Sequence, residues 1–393
     1  MPRSHLIYVV VAVFTVRGIA SSYSWCSGVD PPSPPNARDD LLRIPYLTHI
    51  LDGEACVTWG VNVHLTGRCF LEYTANGGLS WSRVAAIEEE YSWYNYHALP
   101  KQKEMRQCRV NLTGLPPSTP VCYRVLEEDS ELAGGYSFTS APAPGSAAPF
   151  SFMAYGDFGR GKGSPPFVVT DSPQARVRDT LVAWWRAEDP ELLLALGDDT
   201  YFSGYEHEYD HRTFPYYEQL WSQLPLFLTS GNHDYESDRL ATYLKYFYQP
   251  DPTVEDPSAS GRYFSFDWRN VHFVMLDTEW YRWDSPGNLS ASGMVEWFRR
   301  DLEANTQPWT IVAQHKMPYT GSAVADANVV TYLMPIYEEF RIPLVVGGHW
   351  HNYQRYAPLR NGTRVPTTEG GVTYVISGGG GYHIDGAQDS ARG

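Results

Sequence analysis

Between about residue 40 and residue 140, apolar and polar positions alternate in short bursts separated by turn-forming residues. Residues 55–59 (ACVTW) and 69–73 (CFLEY) alternate with a period of two, residues 108–112 (CRVNL) run into the turn sequence TGLPP, and residues 121–125 and 136–139 repeat the alternation. A period of two places every second side chain on one face of a strand. No helical period interrupts the stretch, so it predicts a small antiparallel β-sandwich.

Residues 140–149 (SAPAPGSAAP) have the composition of a linker. After them the pattern changes. Short apolar runs recur at 150–154, 192–196, 225–229, 271–276, 310–313, 343–346 and 372–376. Such runs suit strands buried on both faces, the strands of a sheet covered by helices. The helices are legible between them. Ser172-Pro173 is an N-cap followed by a proline that fits the first helical position, and Val177, Leu181, Trp184 and Trp185 follow as one face. Met294, Trp297, Phe298 and Leu302 form a second face, and a third helix at 335–340 is started or kinked by Pro335. The expectation is an α/β (α+β) sandwich of sheets flanked by helices over 150–393, preceded by an all-β sandwich over 40–140.

Composition narrows the partners. The chain has 393 residues and a formal net charge of −15. Nucleic acid and anionic membranes need a basic surface, so neither fits; a phosphate could still be bound if metal cations reverse the local field. Residues 1–20 read as a secretory signal peptide: Arg3 and His5, an apolar run at 6–16 too short to span a bilayer, then the small-residue pattern GIA. Sequons at Asn111, Asn288 and Asn361 agree with a glycosylated, secreted, lysosomal or vacuolar protein. All 5 cysteines lie between Cys26 and Cys122. In an oxidising compartment this predicts disulfides confined to the N-terminal part, with at least one among Cys56, Cys69, Cys108 and Cys122 and one thiol left over.

The chemistry sits just after the apolar runs. GDFG follows the first (156–159), GDDTY the second (197–201) and GNHD the third (231–234); VAQH closes the run at 310–313 and GHWH follows the next (348–351). In open α/β sheets the carboxyl ends of the strands line the ligand crevice, so these segments converge. Their acid, amide and imidazole groups are the donors that two cations about 3.5–4 Å apart require, with an aspartate able to bridge them. Asp199 reads as a supporting or capping neighbour of Asp198, and Asp277 as structural.

This order of motifs, from about residue 150 to 378, resembles the purple acid phosphatases among the calcineurin-like metallophosphoesterases, and residues 276–279 (LDTE) and 348–355 (GHWHNYQR) are similar to stretches of that family. The Trp59 strand and residues 110–125 resemble a fibronectin type III module, which the larger family members carry in front. The resemblance implies that Asp157, Tyr201 and His351 bind Fe(III), that Asn232, His315 and His349 bind a divalent ion (Zn, Fe or Mn), and that Asp198 bridges them. It places His233 near the phosphate as the catalytic side chain, with Asn232 and His233 as substrate contacts. The implied activity is acid hydrolysis of phosphate monoesters, small or on proteins, by a metal-bound hydroxide nucleophile; a homodimer is compatible with it. Tyr201 separates this reading from a phosphodiesterase or nucleotide pyrophosphatase with two divalent ions. A secreted, non-catalytic binding protein is the third reading. The family's histidine beyond VxxH is missing from residues 316–324, which leaves His233, Tyr319, His207 or His211 for the acid. Members of the family usually continue past the glycine run at 378–381, so the catalytic part is expected to be a C-terminal truncation or a variant.

Overall fold

The structure, a computed structural model, describes residues 40–93, 103–160, 172–250, 259–280, 289, 293–321 and 325–382. The expected leader at 1–20, Cys26 and Asn288 lie outside them. Among the described residues no helix is long and apolar enough to cross a membrane.

The N-terminal part consists of β1 (Leu41–Leu51), β2 (Glu54–Asn62), β3 (Cys69–Thr74), β4 (Ser82–Ala85), β5 (Ile87–Trp93), β6 (Lys103–Leu112), β7 (Pro120–Glu127) and β8 (Ser130–Thr139). The sheet β4-β3-β7-β8 carries one layer. The strands β5, β6, β2 and β1 carry the other, and Cys69 on β3 is disulfide-bonded to Cys108 on β6, across the two layers. Cys56 is a free, buried thiol. Between β6 and β7 the turn falls at residues 117–118, at the end of the expected segment 113–117.

The remaining strands are β9 (Phe152–Tyr155), β10 (Leu192–Leu196), β11 (Leu226–Thr229), β12 (Phe264–Trp268), β13 (Val271–Met275), β14 (Trp309–Gln314), β15 (Leu344–Gly347), β16 (Tyr353–Arg355), β17 (Leu359–Arg360), β18 (Thr363–Arg364) and β19 (Thr373–Ser377). Each apolar run singled out above overlaps one of these strands. They form two larger sheets: β5-β6-β2-β1-β11-β10-β9 and β12-β13-β14-β15-β19-β16. The first contains N-terminal strands, because β1 pairs in parallel with β11 at Thr48 and Leu226.

Period-two burial on both faces explains the apolar runs. On β10, Leu192, Leu194 and Leu196 enter the core between the sheets, while Leu193 and Ala195 enter the core under the helices. Each such leucine contributes about 1.5–3 kcal/mol when fully buried. The helix Pro173–Glu188 starts as expected, with Ser172 Oγ accepting from Ala175 N at 3.1 Å. It buries Val177, Leu181 and Trp185, but Trp184 is exposed; one residue apart is 100° apart on a helix, so the two tryptophans cannot share one narrow face. Met294, Trp297, Phe298 and Leu302 are all buried on the helix Met294–Ala304. Pro335 lies in the first turn of Met334–Glu339.

Candidate metal centre

The carboxyl ends of β9, β10, β11, β14 and β15 point to one place, and the backbone there turns sharply. Asp157, Asp198 and His349 all have positive φ, at 61°, 54° and 71°. For residues with a Cβ this left-handed region costs about 1 kcal/mol or more and is kept where the surroundings demand it. Two glycines allow the close approach. A Cβ on Gly197 (φ +83°) would lie 2.7 Å from His315 Nδ1, and one on Gly231 would lie 2.2 Å from Asp198 N.

Two groups of donors result, and they share Asp198. Asp198, His315 and His349 offer ligand atoms that all lie within 4.8 Å of one another, and so do Asp157, Asp198 and His351. Tyr201 joins the second group. Its hydroxyl donates to Asp198 Oδ2 at 3.0 Å and is 3.3 Å from Asp157 Oδ1 and 3.4 Å from His351 Nε2. His349 N donates to Asp157 Oδ2 at 2.8 Å, which ties the groups together.

Tautomers follow from the neighbours. His315 Nδ1–H donates to the Leu196 carbonyl at 2.8 Å, which leaves the Nε2 lone pair facing His349 Nδ1 at 3.2 Å and Asp198 Oδ1 at 3.4 Å. Burial pushes His349 down to about 2, with His315 adding to it, and burial lowers His315 as well. Burial opposes ionisation of Asp198, but the charge of His315 and His233 and the backbone N–H of His233 outweigh it and hold its pKa below the usual value. Asp198, His315 and His349 are thus biased toward the protonation states that leave oxygen and nitrogen lone pairs available, with ligand atoms within 4.8 Å of one another.

A cation fits this cluster. Asn232 Oδ1 is a buried oxygen without a hydrogen-bond partner, which is costly unless a ligand takes it up. Tyr201 gives a second sign. Burial first, then the charges of Asp198 and Asp157, push its phenol well above the usual value, so a phenolate there needs a cation beside it. The residues that could hold two metals are Asp157, Asp198, Tyr201, Asn232, His315, His349 and His351.

His233 stands beside these donors. Its Nδ1–H donates to the Phe202 carbonyl at 2.5 Å, and its Nε2 is 4.0 Å from Asp198 Oδ2. Its ring leans on that of Tyr201 at 4.6 Å. The other candidate acids have different surroundings. His207 stacks on Tyr205 and faces His211 at 6.4 Å; Tyr319 packs against Tyr356 and Tyr374. Asp277 Oδ1 accepts from Glu279 N and Trp280 N, and Oδ2 from the Tyr235 hydroxyl, a turn-fixing role. Asp199 caps no helix: its carboxyl oxygens are buried without hydrogen-bond partners, and burial and the charge of Asp234 push its pKa well above the usual value. Sequons Asn111 and Asn361 are exposed.

The sequence reading missed Tyr382. Its ring stacks flat on Tyr201 at 4.2 Å and stands edge-on to His351 at 4.6 Å. The signal was its place directly after the glycine run that leaves β19.

Comparison with known proteins agrees with this geometry. Residues 151–353, more than half of the chain, match the family profile described as calcineurin-like phosphoesterase. The chain is 27% identical over 357 residues to purple acid phosphatase 21 of Arabidopsis thaliana, covering 88% of this chain and 70% of that one. It is 23% identical over 304 residues to a protein named probable inactive purple acid phosphatase 1 of the same plant, covering 69% of this chain and 48% of that one. It thus spans between about half and 70% of these relatives' length. The purple acid phosphatase PPD1 from yellow lupin (Lupinus luteus) seeds shares the fold, with a TM-score of 0.72 at 18% identity over 88% of this chain and 66% of that one. With the donor clusters at its strand ends and the profile spanning them, this chain belongs to the calcineurin-like phosphoesterases and resembles the purple acid phosphatases.

Proposed function

We propose that this chain is a secreted acid phosphatase that hydrolyses phosphate monoesters at an Fe(III)–M(II) pair, M being Zn, Fe or Mn. The observation that carries this reading is Tyr201, whose hydroxyl touches Asp157, Asp198 and His351 in the same cluster. Phenolate is a hard anionic donor suited to a trivalent ion. Asp157, Tyr201 and His351 would hold that ion, Asn232, His315 and His349 the divalent one, and Asp198 both. The ions would supply Lewis acidity toward the phosphoryl oxygens and would lower the pKa of water enough to provide a nucleophile below neutral pH.

The chain's own residues do the rest. His233 N donates to Asp198 Oδ1, and Asn232 and His233 would orient the ester. The Phe202 carbonyl fixes the Nδ1 proton of His233, so His233 accepts or delivers a proton only at Nε2, the nitrogen on the Asp198 side. A protonated Nε2 can hand its proton to the departing alkoxide oxygen. The intact donor set is what an inert binding protein would not require.

The test is metal analysis with a visible spectrum, and turnover of p-nitrophenyl phosphate against bis-p-nitrophenyl phosphate. Purified protein should contain iron, absorb in the visible through a tyrosinate charge-transfer band, and prefer the monoester. Tyr201→Phe should bleach the band and lower iron content. A colourless protein with two divalent ions and a preference for the diester selects the phosphodiesterase reading, and bound metal with no turnover of either ester selects a non-catalytic protein.

A further inference from the structure

Next to the donor cluster lies Arg160, which among the described residues pairs with no carboxylate. Arg160 follows the GDFG turn, is half-buried, and among the described residues its recorded partners are two ring faces. Its guanidinium carbon lies 4.4 Å from the centre of Tyr382 and 5.0 Å from that of Phe202. Tyr382 in turn stacks on Tyr201, so Arg160 stands one ring away from the metal-binding tyrosine. Phe202 is 42% exposed, which puts this group at the mouth of the site. The nearby Arg212 differs: it donates to Glu208 and to the Tyr201 carbonyl, and so is already spent on structure.

A guanidinium stacked by its face on aromatic rings keeps its N–H edges free, and those edges match a phosphate in a bidentate fork. In a chain with a net charge of −15, an uncompensated arginine beside an anion-binding centre is a local reversal of the field. We propose that Arg160 is a specificity-determining residue that binds a second phosphate on the leaving group, so that the preferred substrates are phosphoanhydrides and bisphosphorylated esters. The exposed ring of Phe202 closes the same wall and holds the guanidinium in place.

This rests on the phosphatase reading, and the test separates the two. Binding of imidodiphosphate, which is not hydrolysed, and of orthophosphate to the metal-loaded protein is measured by calorimetry, alongside kcat/KM for pyrophosphate and p-nitrophenyl phosphate. Wild type should bind imidodiphosphate at least about tenfold more tightly than orthophosphate, as one charge-assisted bidentate contact allows. Arg160→Ala should remove that preference and lower the pyrophosphate to p-nitrophenyl phosphate ratio by about tenfold, and Arg160→Lys, which keeps the charge but not the fork, should restore part of both. A preference that survives Arg160→Ala belongs to the metals and overturns the proposal, as does a wild type that shows none. A wild type that turns over no phosphate compound but keeps an Arg160-dependent preference overturns the phosphatase reading and leaves Arg160 as an anion site.

Discussion

Asn232 and His233 are adjacent in sequence, at the start of the short helix Asn232–Tyr235 that follows β11. The amide oxygen of Asn232 is buried without a hydrogen-bond partner, whereas His233 is held through two different groups. Its backbone N–H donates to Asp198 Oδ1 at 2.9 Å, and its side chain hangs from the Phe202 carbonyl. Truncating the side chain leaves the backbone contact to Asp198 in place. His233→Ala should therefore lower kcat by about 10²–10⁴-fold, the range for a positioned proton donor, while the protein binds the same amount of metal. Equal loss of metal and activity would make His233 a ligand and not an acid. The GNHD motif marked both residues and the family resemblance implied their roles; the Phe202 carbonyl that sets the tautomer could not be read, because a main-chain oxygen has no sequence identity.

At the scale of elements, strands buried on both faces were legible, whereas the edge strand β12 was not. The run at 192–196 is β10 to the residue, whereas β12 went unread: Ser265 and Asp267 interrupt it, and it pairs with a neighbour on one side only, β13. That edge carries an ionic tie. His272 on β13 lies 2.8 Å from Asp267 on β12 through Nδ1 and 2.9 Å from Asp301 on the helix Met294–Ala304 through Nε2, and Asp301 also accepts from Ser265 Oγ at 2.6 Å. Burial opposes the charge on His272, but hydrogen bonds to the two aspartates outweigh it and raise the pKa from 6.5 to about 9. A group with a raised folded-state pKa gives its full stabilisation below the unfolded-state value and loses it as pH climbs through the folded-state value. The tie is thus complete in acid down to the range where Asp267 itself protonates, and fades between about pH 6.5 and 9. Denaturant titrations at pH 6 and pH 10 should show wild type losing roughly 2 kcal/mol more than His272→Gln over that interval. Parallel losses in the two proteins would mean that the triad contributes nothing through its charge.

For the whole molecule, composition pointed to a division that the hydrogen bonds cross. The stretch 140–149 looks like a linker, yet Ser140 Oγ donates to the Pro116 carbonyl at 2.6 Å, Ala141 is buried in the core, and Gly145 N donates to the Arg269 carbonyl at 2.6 Å. The link between the parts is β1. It carries the apolar run Leu41–Leu51, placed between β2 and β11 in one continuous sheet, and pairing across so long a sequence separation leaves no local pattern to read. Side chains reinforce it. Arg43 is fully buried between the rings of Phe214 and Tyr246 and pairs with Asp210 at 2.5 Å, while donating to Gln107 at 2.9 Å. Burial disfavours its charge, and Asp210 more than offsets this. Tyr46 and Tyr123 donate to the carbonyls of Tyr246 and Ser222, each at 2.6 Å. One hydrophobic core contains Leu47 and Val57 from the N-terminal strands together with Phe152, Leu194 and Phe227. Halves that share a sheet and a core have no separate melting units, so scanning calorimetry of the intact chain should give a single endotherm. Asp210→Ala leaves a buried guanidinium without its counter-charge, at a cost of about 3–5 kcal/mol, and should move that one endotherm to lower temperature without splitting it. Two endotherms in wild type, or a variant in which only one of two transitions moves, would show that β1 joins the halves in space without coupling their stability.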